Sequence, residues 1–184
     1  MKIYQILFLV LIVLSSCTKS KEENAAPKEE KVISVKGQVN PEDLGKEVFN
    51  IVSDFDGLVQ EDFNKKVITY QELQNLANNP KAKLGEHFRA DFKSITSDIY
   101  EEVMQRDYNS IKDAAASSKI NLDKIEFVTF VHKLMEFDEV KGVLGETYFK
   151  NTDDKVYFVK SMAFHDGEKY VLVKVEDIEP SKQH

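Results

Sequence analysis

The chain has 184 residues, a formal net charge of −7 from 25 basic and 32 acidic side chains, and one cysteine. A single cysteine excludes a disulfide framework and a multi-thiolate metal site, so stability must come from an apolar core. An acidic chain whose only arginines are Arg89 and Arg106 is poorly suited to neutralising a phosphate backbone, and nucleic acid is not expected as a partner.

From the N-terminus, Met1-Lys2 leads into nine unbroken apolar residues, Ile6 to Leu14, and the run closes with Leu14-Ser15-Ser16-Cys17. Positive, apolar and small residues in that order make an export signal. As a helix the apolar run spans about 13 Å, whereas a hydrocarbon core of roughly 30 Å needs about 20 residues, so a permanent transmembrane helix is not expected. Leu14-Ser15-Ser16-Cys17 resembles the lipobox of bacterial lipoproteins. That resemblance implies lipid on the Cys17 thiol, removal of residues 1–16, and a mature protein that begins at Cys17. The three acyl chains of that family would fasten the protein to a membrane almost permanently, because each buried methylene contributes about 0.8 kcal/mol.

Thr18 to Lys31 holds four Lys and four Glu and almost nothing that packs. Such a segment does not offset its own ordering entropy, and residues 17–39 are expected to be the lipidated cysteine and a flexible tether. Lys21-Glu22-Glu23 resembles the tag after the lipid cysteine of some surface-exposed lipoproteins of Gram-negative bacteria. Thr18 does not resemble the aspartate of the inner-membrane retention signal, so the cell envelope is expected, at the outer membrane and facing outward. Residues 40–180 then suit one domain, with 181–184 as a tail.

Within that domain, Val32 to Val39 alternates loosely, as a short strand or the end of the tether. Asn40-Pro41-Glu42-Asp43 has an N-cap, a proline at N1 and acids on the helix dipole. Leu44, Val48, Ile51, Val52, Phe55, Leu58 and Val59 follow at helical spacing, with a break near Asp56-Gly57. Thr69-Tyr70-Gln71-Glu72 has the form of a capping box, opening a short helix that Asn78-Asn79-Pro80 ends. From Lys81 to about Ser118 nothing interrupts the chain after Gly85, and Leu84, Phe88, Phe92, Ile95, Ile99, Val103 and Ile111 predict one long helix of up to about 30 residues, about 45 Å.

Beyond Asn121 the texture turns β-branched and aromatic. Ile125 to Phe137, Val140 to Lys150, Val156 to Phe164 and Tyr170 to Val175 read as four strands. Turns fall near Asp138-Glu139, Asn151 to Asp154, and His165-Asp166-Gly167, whose Asp-Gly pair suits a tight primed turn. Short links force antiparallel neighbours. The expected fold is α+β, N-terminal helices including one long helix packed against a curved four-stranded antiparallel meander. The order helix, Ile68-Thr69-Tyr70-Gln71-Glu72-Leu73, long charged helix, Gly145-Glu146-Thr147-Tyr148-Phe149-Lys150, Lys169-Tyr170-Val171-Leu172-Val173 resembles small bacterial lipoproteins with a cystatin-like or nuclear transport factor 2-like fold. That resemblance implies a curved sheet around helices, often with a conical pocket. Some members bind small ligands and a few are isomerases or dehydratases.

No motif carries catalysis: the chain has no His-Glu-x-x-His, P-loop, Gly-x-Gly-x-x-Gly or Gly-x-Ser-x-Gly run. It also lacks the Gln-x-Val-x-Gly hairpin of cystatin inhibitors. His132 and Glu136 are four apart in a predicted strand, about 13 Å along it, too far to share an ion. His165 falls in a turn, His184 is terminal, and His87 begins a charged helix. Tyr148, Tyr157, Phe158, Phe164 and Tyr170 gather on the last three strands as core or as pocket lining. Asp91, Asp98 and Glu146 are the acids a pocket enzyme of that fold would draw on. The function expected is a membrane-anchored, non-enzymatic module that binds a protein or small-ligand partner, with no cofactor or metal. The alternatives are a small pocket enzyme and a structural or antigenic surface protein.

Overall fold

The computed structural model describes residues 36–182. The expected export segment, Cys17 and the expected tether as far as residue 35 lie outside the described residues, as does His184. The expected strand at 32–39 lies partly outside them. Of its described part, Gln38 forms one bridge, exchanging two 2.8 Å backbone hydrogen bonds with Tyr170, while its amide donates to Glu47 Oε2 at 2.9 Å. The chain is therefore held against the domain before Asn40.

Pro41 opens a 3-10 turn, Pro41–Asp43, that leads into α1, Leu44–Ser53. Asn40 makes no side-chain cap to the backbone there; its amide donates to the Asp43 carboxylate at 3.3 Å. Leu44, Val48, Ile51 and Val52 are buried at helical spacing. The break expected near Asp56-Gly57 comes slightly earlier, at Asp54. A 3-10 turn, Phe55–Gly57, buries Phe55, and a separate helix that the sequence pattern did not mark, α2 (Gln60–Val67), buries Phe63 and Val67. With two apolar anchors in eight residues, α2 carries little periodic signal.

The capping box forms as spaced. Thr69 Oγ1 accepts from Glu72 N at 3.2 Å, and Thr69 N donates to Glu72 Oε2 at 2.8 Å, starting α3, Tyr70–Asn78. A Thr69→Ala substitution removes the acceptor of Glu72 N and one of the two donors to the buried Glu72 carboxylate, leaving the backbone bond from residue 69. It should lower stability by about 1–2 kcal/mol, read as a lower urea midpoint at unchanged slope.

The long helix expected from Lys81 to Ser118 is two helices, α4 (Gly85–Ser94) and α5 (Ser97–Ser117). Ile95 turns extended and Thr96 caps α5 by accepting from Ile99 N at 3.3 Å. The Gln74 amide of α3 donates to the carbonyls of Phe92 and Ile95 at 3.0 and 3.2 Å, satisfying orphan acceptors at the end of α4. Cap and acceptor together stabilise a break that the apolar stripe alone conceals.

Four strands follow, β1 (Glu126–Phe137), β2 (Val140–Lys150), β3 (Val156–His165) and β4 (Tyr170–Pro180), antiparallel in the order β1-β2-β3-β4. The last runs past the expected Val175, with an irregularity at Asp177, whose φ is +53°. The tight two-residue turn is Asp138-Glu139, both at positive φ (+43° and +64°). The Asp166-Gly167 turn is wider: His165 pairs with Tyr170, and Asp166 Oδ1 accepts from Glu168 N and Lys169 N at 2.8 and 2.9 Å.

The two faces of the sheet differ. On one, α1 packs against β1 and β2: the rings of Phe49 and Phe127 meet edge-on at 5.5 Å, and Leu44 joins Val143, Ala163, Tyr170 and Phe130. On the other, α4 covers one end only, where Phe88 and Phe92 lie against the fully buried Phe164 at 4.9 and 5.5 Å between ring centres. α5 packs along β4, tied by the 3.2 Å bond from Asp177 N to Ser110 Oγ.

Candidate functional site

Strand alternation sends Lys133, Leu144, Met162 and Lys174 to the face away from α1, and register aligns them as one row across all four strands. The neighbouring row is Val131, Glu146, Lys160 and Glu176. These two rows form a cleft of about 510 Å³, within the range of roughly 300–1,000 Å³ typical of small-molecule sites. Its apolar wall is Val131, Leu144 and Met162; the charges lie around it.

Most of those charges are internally paired. Lys174 lies 2.6 Å from Glu176. Lys160 pairs with Glu179 and stands 3.8 Å from Asp177, and the Glu179 hydrogen bond raises its pKa. Glu146 accepts from the Tyr148 hydroxyl at 2.6 Å, a bond that raises the phenol's pKa. Among the three ammonium groups of the cleft, Lys133 alone makes no ion pair within the described residues; the Glu146 carboxylate there is held by the Tyr148 hydroxyl and no cation.

Met162 and Lys174 also border a smaller pocket of about 140 Å³, walled by Leu73, Phe92, Tyr100, Met104 and Asp107 among others. Asp107 is 2% exposed. Its Oδ1 accepts from Arg106 Nη2 at 3.1 Å, while Oδ2 is buried without a partner among the described residues. Burial raises its pKa, opposed by the nearby Lys174 and the Arg106 hydrogen bond. Between the ordinary carboxylate range and this raised value, the folded chain keeps a proton that the unfolded chain releases, so stability falls as pH rises through that window. Asp107→Asn should therefore remove this pH-dependent loss, so that stability no longer falls as pH rises through that window, checked by thermal melts across pH.

The five aromatic residues expected to gather do not form one site. Tyr148 and Phe158 pair at 5.3 Å beside the cleft on its open face. Phe164 is sealed beneath α4. Tyr157 and Tyr170 are buried, Tyr157 stacked on Phe149 at 6.1 Å and Tyr170 beside Leu44. None of the five lines the cleft. Of the three acids singled out, Glu146 does, whereas Asp91 and Asp98 are exposed on α4 and α5. His132 stacks on Phe130 at 5.3 Å.

Sequence reading missed Asp107 because it lies within the long helical run and its neighbours Arg106 and Asn109 mark a polar face. The usable signal was spacing: Tyr100, Met104, Asp107, Ile111 and Ala115, at intervals of three and four, are the buried positions of α5. No protein-family model, curated protein or solved structure matches this chain.

Proposed function

We propose that the protein is an envelope lipoprotein, tethered through lipid on Cys17, whose domain binds a small amphipathic molecule with an anionic end. The cleft carries this reading: an apolar floor of Val131, Leu144 and Met162, two lysines paired with carboxylates, Glu146 bonded to the Tyr148 hydroxyl, and one ammonium, Lys133, with no ion pair among the described residues. The apolar body would lie along the floor while the anion meets Lys133. The four-stranded antiparallel meander that follows the helices supports a cystatin-like or nuclear transport factor 2-like assignment, and the lipobox resemblance supports the outer membrane.

A matched dye pair tests the ligand class. Anilinonaphthalene sulfonate and phenylnaphthylamine share an aromatic body, and only the first carries a sulfonate. The sulfonate dye should bind one to one and more tightly. Lys133→Met should weaken it about fivefold, the scale of one partly exposed charge contact, and leave the neutral dye unaffected. Equal loss for both dyes, or no binding of either, defeats the proposal.

Asp107 favours a second reading, a pocket enzyme with a buried acid. Its pocket is well below the usual substrate size, and Oδ2 is sealed from water. Under the binding reading, Asp107→Asn keeps the affinity for the sulfonate dye.

A further inference from the structure

β1 is the edge of the sheet. Among the described residues its backbone pairs only with β2, and the segment held against Tyr170 by Gln38 joins the opposite, β4 side. An unpaired edge strand is a template for another strand, and beyond the irregularity at Phe127/Thr129 this one exposes large apolar side chains on both faces: Val131 (54%) and Phe137 (53%) on the cleft face, Leu134 (44%) on the α1 face. A monomer gains nothing from displaying all three.

We propose that β1 pairs antiparallel with β1 of a second copy of this chain, joining two sheets into one of eight strands, with the two-fold axis at Leu134. The register follows from the sequence. In such a pair alternate residues turn N–H and C=O outward, so bonded partners share parity and the axis falls on a residue rather than between two. The irregularity between Phe127 and Thr129 ends the regular stretch, leaving Thr129 to Phe137. An axis at Lys133 opposes two ammonium groups, and one at His132 opposes two imidazoles. An axis at Met135 sets Leu134 against Glu136. An axis at Leu134 sets Leu134 on Leu134, His132 across from Glu136 twice, Val131 across from Phe137 twice, and the aliphatic stem of Lys133 beside Met135. Of these four registers, that one alone combines two opposite-charge or hydrogen-bonded pairs with no like charges facing and cover for the three exposed apolar residues of the stretch.

The test uses the full-length chain in non-ionic detergent. Mild oxidation of Leu134→Cys should yield a disulfide dimer, since partners at the axis have β-carbons about 5 Å apart. Leu144→Cys, exposed but one strand inward, and the parent with Cys17 alone should not. Sedimentation should show a dimer that His132→Glu weakens about tenfold or more by facing two pairs of carboxylates, and that His132→Glu with Glu136→His restores. All three positions are partly or largely exposed, and circular dichroism verifies folding. A monomer at every concentration, crosslinking equal to that of Leu144→Cys, or no rescue by the charge swap overturns the proposal, as does finding the N-terminal segment or another protein along β1. Dye binding in the cleft is measured separately, so either proposal can fail alone.

Discussion

Cys17→Ala should abolish lipid labelling and move the protein out of the membrane fraction, the largest effect expected of any single substitution. Acyl chains supply the whole attachment in this account: each methylene contributes about 0.8 kcal/mol, and one short chain alone binds only marginally. The apolar run Ile6 to Leu14 is too short to span a bilayer, and no helix among the described residues is long and apolar enough to do so. Fractionation with a labelled fatty acid decides the matter. Unchanged partitioning of the variant would mean that polypeptide does the anchoring.

Gly45→Val should destabilise the domain by about 2–3 kcal/mol. Gly45 sits in α1 where the helix meets β1, and a Cβ there would lie 2.4 Å from both Cβ and Cγ of Phe130. Those are the fixed root of the side chain, unable to swing aside. On the other side a Cβ at Gly145 would lie 2.4 Å from Phe130 Cε2. The ring is thus clamped between two glycines, one on the helix and one on β2. The helix-propensity gain on leaving glycine, at most about 1 kcal/mol, opposes the clash and is outweighed. Urea unfolding measures the loss, and Phe130→Ala in the same chain should recover part of it, because the two sites share one contact.

The strands were legible because period-two alternation and turn residues agreed: β1, β2 and β3 lie within a residue of their expected ends. The helical half was legible in part. Thr69 and Glu72 announced α3 through a reciprocal cap, a local device that sequence displays directly. The junction at Ile95-Thr96 was hidden because Ile95 continues the apolar stripe, and because the acceptors of α4 are satisfied by Gln74 from another helix, a tertiary contact. The Asp-Gly pair suggested the tightest turn, yet Asp138-Glu139 makes it, with two acidic residues at positive φ.

The site was less legible than the fold. An aromatic cluster is chemically suggestive, but Phe164 and Tyr157 were drawn to packing on opposite faces of one strand. The cleft is made by cross-strand rows, and a row such as Lys133, Leu144, Met162 and Lys174 depends on register between three strand pairs. A shift of one residue in any of them would turn that strand's member of the row toward α1.

Methyl-resolved NMR of the protein titrated with anilinonaphthalene sulfonate tests the binding cleft most directly. Saturable shifts are expected at Val131, Leu144 and Met162, with Val48 and Ile51 behind the sheet unmoved. Shifts confined to the α1 side, or none at saturating dye, would contradict the proposed site.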